Sequence, residues 1–137
     1  MRLSTRGEYG LRMMASLAKF YPSGPVSLAQ IAKDENISLA YLEQLIRLLR
    51  GKGLVVSTRG AQGGYTLARP PEQIRVGDVV RAVEGPIAPV DCVSEDEPEC
   101  KCQHQSDCRT RAVWERLRDT IAETLDSTTL ADLTRSR

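Results

Sequence analysis

The chain has no apolar run long enough to span a membrane, and its opening residues, MRLSTRGEYG, hold no apolar core of a secretory signal. These absences lead us to expect a cytoplasmic protein with no membrane contact. Histidine occurs once, at His104. There is no Cys-x-x-Cys pair, and no His–Asp or paired-carboxylate arrangement that would activate a nucleophile or a proton donor. An enzyme, including a small thiol oxidoreductase, is therefore not expected. Internal repeats and low-complexity segments are also missing. Cysteine is absent everywhere except residues 92–108, which hold all four: Cys92, Cys100, Cys102 and Cys108.

What is present describes one ordinary domain with an appendage. At 137 residues, 41% of them hydrophobic and 27% charged, the chain can bury a core without needing disulfides. The formal net charge is only +1, but it is unevenly spread. Residues 1–84 carry 12 Lys/Arg against 7 Asp/Glu, a net of +5, whereas residues 85–137 carry 7 against 11, a net of −4. A basic first part joined to an acidic second part fits a nucleic-acid-binding module with something attached.

The periodicity supplies the elements. Thr5-Arg6-Gly7-Glu8 has the capping-box form with Thr5 as N-cap, and Tyr9, Met13, Leu17 and Phe20 follow at helical spacing. A first helix should end before Pro22. Ser27-Leu28-Ala29-Gln30 opens a short second helix to about Lys33, and DENIS reads as a polar turn. Ser38 caps a third helix whose buried stripe is Leu42, Leu45, Ile46 and Leu49, closed by Gly51 and Gly53. LVVST and GYTLAR read as two strands around a glycine-rich tip, RGAQGG. VGDVVRAVEG reads as a fourth helix with Val76, Val79, Val80 and Val83 apolar. Residues 85–107 show no periodicity and form a loop, long enough to be functional. Ser106 or Asp107 should cap a last helix of roughly 20 residues, about 30 Å long. Trp114, Leu117, Ile121 and Leu125 mark its apolar face, and TTLADLTRSR reads as a last short turn of helix.

Three helices and a hairpin in this order form a winged helix-turn-helix, so the fold class is mainly α with a small β-hairpin. We expect a DNA-binding domain over 1–84, a cysteine-rich loop over 85–107, and a dimerisation helix with a tail over 108–137. The third helix would enter the major groove by its N-terminal end, where Ser38, Ala40, Tyr41, Glu43, Gln44 and Arg47 face outward. Arg59 at the hairpin tip is a candidate minor-groove reader. Plain structural alternatives are Tyr41 packed on the first helix and a Glu43–Arg47 surface pair. One recognition helix covers few base pairs, so a pseudo-palindromic duplex read by a homodimer is expected. Trp114, Leu117, Ile121 and Leu125 are too many large apolar groups for a solvated arm; they pack either on a partner, as a pairing surface, or on the chain's own core.

MRLSTRGEYGLRMM, ISLAYLEQLIRLLRGKGLV, TRGAQGGYTLARP and VGDVVRAVEGP together resemble the IscR-type transcription regulators, a family that includes NsrR, RirA and CymR. The likeness runs from Met1 to about Leu133. It implies a dimeric winged-helix regulator, a repressor by expectation, that reads DNA with Ser38 to Gln44 and Arg59 and pairs through its last helix.

Four chemistries compete for the cysteines. A reducing cytoplasm disfavours disulfides, although a metal-free redox switch through one mobile pair is compatible with the spacing. Seven, one and five residues intervene between successive cysteines, which form no zinc knuckle. An iron–sulfur cluster tolerates irregular spacing. The family resemblance implies such a cluster on Cys92, Cys102 and Cys108, with 2Fe–2S expected ahead of 4Fe–4S. Some relatives take a fourth ligand from a histidine three residues after the last cysteine, where this chain has Arg111. Others use a carboxylate of the partner subunit at the position of Glu8. Glu8, Cys100 and His104 all stay open as the fourth ligand, with Glu8 slightly ahead. The expected activity is regulation in response to cluster status, redox or nitric oxide stress. The alternative is a metal-free, CymR-like regulator of cysteine and sulfur metabolism acting with a protein partner.

Overall fold

A computed structural model describes residues 3–96 and 108–135. Helices α1 (Thr5–Phe20), α2 (Leu28–Glu35) and α3 (Leu39–Gly51) precede a hairpin of β1 (Val55–Thr58) and β2 (Gly64–Leu67). Helix α4 (Val76–Glu84), helix α5 (Arg111–Asp126) and helix α6 (Leu130–Arg135) follow. This is the mainly helical, winged arrangement expected from the sequence. Among the described residues no helix is long and apolar enough to cross a membrane.

Of the N-caps expected for the first three helices, two are present: Ser27 accepts from Gln30 N–H, and Ser38 accepts from Tyr41 N–H. The first is shifted by one residue. Ser4, not Thr5, caps α1 by accepting from Arg6 N–H, while its own N–H and hydroxyl donate to the carboxylate of Glu84. That carboxylate, brought from α4, occupies the positive end of the α1 dipole. Thr5 then lies inside the helix, and Glu8 is released from any capping role. Asn36, in the left-handed region at φ 54°, stops α2 and turns the chain into α3.

The core forms where the apolar stripes of these helices meet. Met13, Met14 and Leu17 of α1, Ile31 of α2 and Leu42, Leu45 and Leu49 of α3 are almost fully enclosed. Burying each such side chain contributes about 1.5–3 kcal/mol before conformational entropy is counted. In the hairpin, Val55 pairs with Leu67 and Thr58 with Gly64. On its other edge β2 takes a short bridge to Val26, whose N–H and C=O both bond Tyr65, at 3.0 and 2.9 Å. The hairpin is thereby fastened to the entry of α2.

The C-terminal part differs from expectation in two respects. Helix α5 starts at Arg111, with Thr110 at the N-cap position, and has 16 residues, about 24 Å rather than 30 Å. Asp107 and Ser106, expected as its cap, lie outside the described residues. After α5 the chain turns back: Val76 N–H donates to Thr128 O at 2.8 Å and Leu130 N–H to Ile74 O at 2.9 Å. Leu130 is wholly buried in the same core as α1, and α6 packs on α1.

Candidate nucleic-acid interface and cysteine segment

The N-terminal end of α3 is exposed. Ser38, Ala40, Glu43, Gln44 and Arg47 all face solvent, and Glu43 and Arg47 make no ion pair among the described residues. The Ser38 hydroxyl is already engaged as the helix cap, which leaves its remaining donor capacity for a ligand. Tyr41 turns elsewhere. It is half-buried, its phenol lies 2.8 Å from the Thr5 hydroxyl, and its ring meets Tyr9 edge-on at 5.8 Å. Arg12 stacks over Tyr9 at 5.7 Å and bonds both the backbone and carboxylate of Glu35 at the end of α2. One face of α1 therefore sets the angle of both helices of the helix-turn-helix.

Arg59 stands exposed at the wing tip beside Gly60, whose φ of 114° only glycine adopts readily. Between wing and α3 runs a groove of about 550 Å³, lined by Ser27, Glu43, Arg47, Arg50 and Tyr65. Arg50 also lines the adjoining hollow beneath Ser57, Thr58 and Arg59. It joins the two halves of a basic surface, a role the sequence reading did not give it. Its spacing of three residues from Arg47, on one helical face, is the signal that points to it.

The cysteine segment is described only at its two ends. Cys92 is half-buried in a 3-10 turn, Asp91–Val93, whose Val93 side chain is buried. Cys108 stands just ahead of α5 with its sulfur 3.3 Å from the Thr110 hydroxyl. Hydrogen bonds from that hydroxyl and from backbone N–H groups at the start of α5 hold the Cys108 thiol below its ordinary pKa. Cys100, Cys102 and His104 lie outside the described residues. Glu8 is exposed on the first turn of α1. Among the described residues no three His, Cys, Asp or Glu side chains cluster closely enough to hold a metal ion. The expected dimerisation residues lie on a helix with no buried position: Leu117 is 39% exposed and Trp114, Ile121 and Leu125 are half-buried.

The protein-family model described as Rrf2, an iron-dependent transcriptional regulator, matches residues 3–136. The chain belongs to the Rrf2 family of transcription regulators. It is 48% identical over 133 residues to the HTH-type transcriptional regulator CymR of Bacillus subtilis, covering 97% of this chain and 89% of that one. Its structure is similar to that of CymR, the global cysteine regulator of B. subtilis, with a TM-score of 0.82 at 46% identity, over 98% of this chain and 97% of the other. It is also similar to T. potens IscR, with a TM-score of 0.79 at 44% identity, over 98% and 87%. An Rrf2 regulator binds DNA rather than catalysing a reaction, in keeping with the sequence reading, and these relatives are named as regulators rather than enzymes.

Within this Rrf2 protein an ion cluster joins α4, Glu95 and the end of α5. Arg81 of α4 donates from Nε to Glu95 Oε1 at 2.7 Å and from Nη1 to Asp126 Oδ1 at 2.7 Å, with Nη2 reaching the second oxygen of each. The hydrogen bonds from Arg81 hold both carboxyls below the usual range. Carboxyls with depressed values stabilise the fold above their unfolded values near pH 4, and that contribution is lost as the pH falls through the folded values. The melting temperature of the wild type should therefore exceed that of Asp126→Asn by about 2–4 °C at pH 6. The gap should close as the pH is lowered to 3, as read by circular dichroism.

Proposed function

We propose that this chain is a homodimeric transcription regulator, acting as a repressor, that reads a pseudo-palindromic duplex and senses iron–sulfur status through its cysteine segment. The observation that supports the DNA reading is the continuous exposed face from Ser38, Ala40, Glu43 and Gln44 through Arg47 and Arg50 to Arg59. It combines the positive end of a helix, polar groups able to contact base edges, and a line of guanidiniums for phosphates. Tyr41 supports that face from behind, through Thr5 and Tyr9.

The chemistry of the described thiols fits a cluster. A ligating cysteine must be a thiolate, and the surroundings of Cys108 favour that form. Cys92, Cys102 and Cys108 would hold the cluster, with Glu8, Cys100 or His104 completing the set. When bound, it would supply an oxidisable centre whose loss signals oxygen, nitric oxide or iron shortage. The protein's own part is to bracket that centre between Val93, tied to α5 by a 3.3 Å hydrogen bond from Arg118, and the start of α5 itself.

A second reading, a metal-free regulator of cysteine and sulfur metabolism working with a protein partner, draws support from the likeness to the global cysteine regulator CymR. One preparation separates the two. Protein purified without oxygen and reconstituted with ferrous iron and sulfide should be coloured and hold stoichiometric iron. Replacing Cys92, Cys102 or Cys108 with Ala should abolish the absorption while leaving the far-ultraviolet circular dichroism unchanged. A colourless wild type that still selects a pseudo-palindrome from random duplexes would establish the metal-free reading instead.

A further inference from the structure

The Arg81 cluster has a feature that local structure does not favour. Asp126 is the last residue of α5, where the negative end of the helix dipole repels a carboxylate. Gly77 lies in the first turn of α4, where a residue with a side chain would be the ordinary choice. Both choices meet at one point. A methyl group on residue 77 would stand 1.9 Å from Asp126 Oδ1 and 2.7 Å from Arg81 Nη1. A Cβ at residue 77 would push the Arg81–Asp126 pair out of its present geometry. Two locally unfavourable residues that serve a single contact indicate that the contact has a use beyond propensity.

Its other arm reaches the cysteine segment. Glu95 follows Cys92 by three residues. Its carboxylate accepts from Arg81 and from Ile87 N–H at 2.8 Å, and its own N–H donates to Ile87 O at 3.2 Å. Residues 87–95 are thus a closed loop containing Cys92, locked at its neck by Arg81. The same guanidinium grips the end of α5 in bidentate fashion, the geometry that fixes direction as well as distance. Because α5 has no fully buried residue, directed polar contacts such as this one carry much of its orientation relative to α4.

We propose that Arg81 is a positioning residue that couples the state of the cysteine segment to the angle of α5, and so to the spacing of two recognition helices in a dimer. The inference rests on the reading that the cysteine segment is the sensor. Strain or release around Cys92 moves Glu95, Glu95 moves the guanidinium, and Asp126 carries the shift to α5. Glu95→Gln keeps the shape and the Ile87 contact while removing the charge that Arg81 holds, and Arg81→Lys keeps the charge but not the fork.

The test is a ratio. Affinity for a duplex selected by the wild-type protein is measured by fluorescence anisotropy at fixed salt, with thiols reduced and after alkylation with N-ethylmaleimide. The wild type should change affinity by at least about fivefold on alkylation, the usual scale of coupling between sites. Glu95→Gln and Arg81→Lys should bind the duplex with a ratio near one. A purely structural role would lower both affinities and the melting temperature together and leave the ratio at its wild-type value, which overturns the proposal. A wild type indifferent to alkylation would instead reject the sensing role of the cysteines, and the coupling with it.

Discussion

Placing Asp at both Leu117 and Ile121 should convert the protein to a monomer and lower its affinity for a two-half-site duplex by about 10²–10⁴-fold, the range set by losing a tethered second binding event. The expectation follows from α5. Its apolar residues lie on one side, yet Val113 is 57% and Leu117 39% exposed, and none of its positions is buried. An isolated helix of this length is marginal in water, so α5 needs a surface to cover its stripe. The chain's own core has only partly covered it: Ile121 and Leu125 border a hollow of about 300 Å³ with Val80 and Ile87, while Leu117 stays partly open to solvent. A second copy of the chain supplies the missing surface in the proposed homodimer. Sedimentation velocity on the double variant decides the matter, and an intact dimer with wild-type affinity would show that pairing occurs elsewhere. Far-ultraviolet circular dichroism on the same sample confirms that the core, which excludes both positions, remains folded.

Replacing Gly64 with Ala should be among the most damaging single changes in the DNA-binding half. An added Cβ would lie 2.4 Å from the carbonyl oxygen of Val26, 2.5 Å from its carbon and 2.9 Å from Ser27 nitrogen. All three are backbone atoms and none can rotate away. The wing must lift, breaking both hydrogen bonds between Val26 and Tyr65 and disturbing the cap of α2 at Ser27. Two lost bonds, at about 1 kcal/mol each, plus a damaged cap suggest about 3 kcal/mol of destabilisation, measurable by urea unfolding. Because the wing carries Arg59, duplex affinity should fall as well, with a shallower dependence on salt. Gly51→Ala is the control: nothing lies within 4 Å of a Cβ there, and neither stability nor binding should suffer.

Much of the fold was readable from short-range patterns. The stripe Leu42, Leu45, Ile46 and Leu49 is the buried face of α3, and Val76, Val79, Val80 and Val83 are buried in α4. Ser27 and Ser38 cap the helices they were expected to cap. The cap of α1 was misread by one residue because Ser4 and Thr5 are both competent caps. What selects Ser4 is Glu84, eighty residues away. Tyr41 shows the same limit. Helical geometry places it near the outer face of α3, but only the approach of α1 decides that its phenol meets Thr5.

Local patterns along the chain specify the winged helix-turn-helix order, the apolar faces, the exposed residues at the start of α3 and the confinement of all thiols to one segment. These follow from caps, turns and periods that act over a few neighbouring residues, where the chain has little conformational choice. Three features emerge only when the helices pack together: α6 returns to the core through Leu130, Arg50 completes the basic face, and Arg81 joins Glu95 to Asp126 across separations of 14 and 45 residues. The physical reason is that such contacts depend on the relative placement of whole helices. That placement is set by the summed packing of the core and leaves no periodic trace in the residues it brings together.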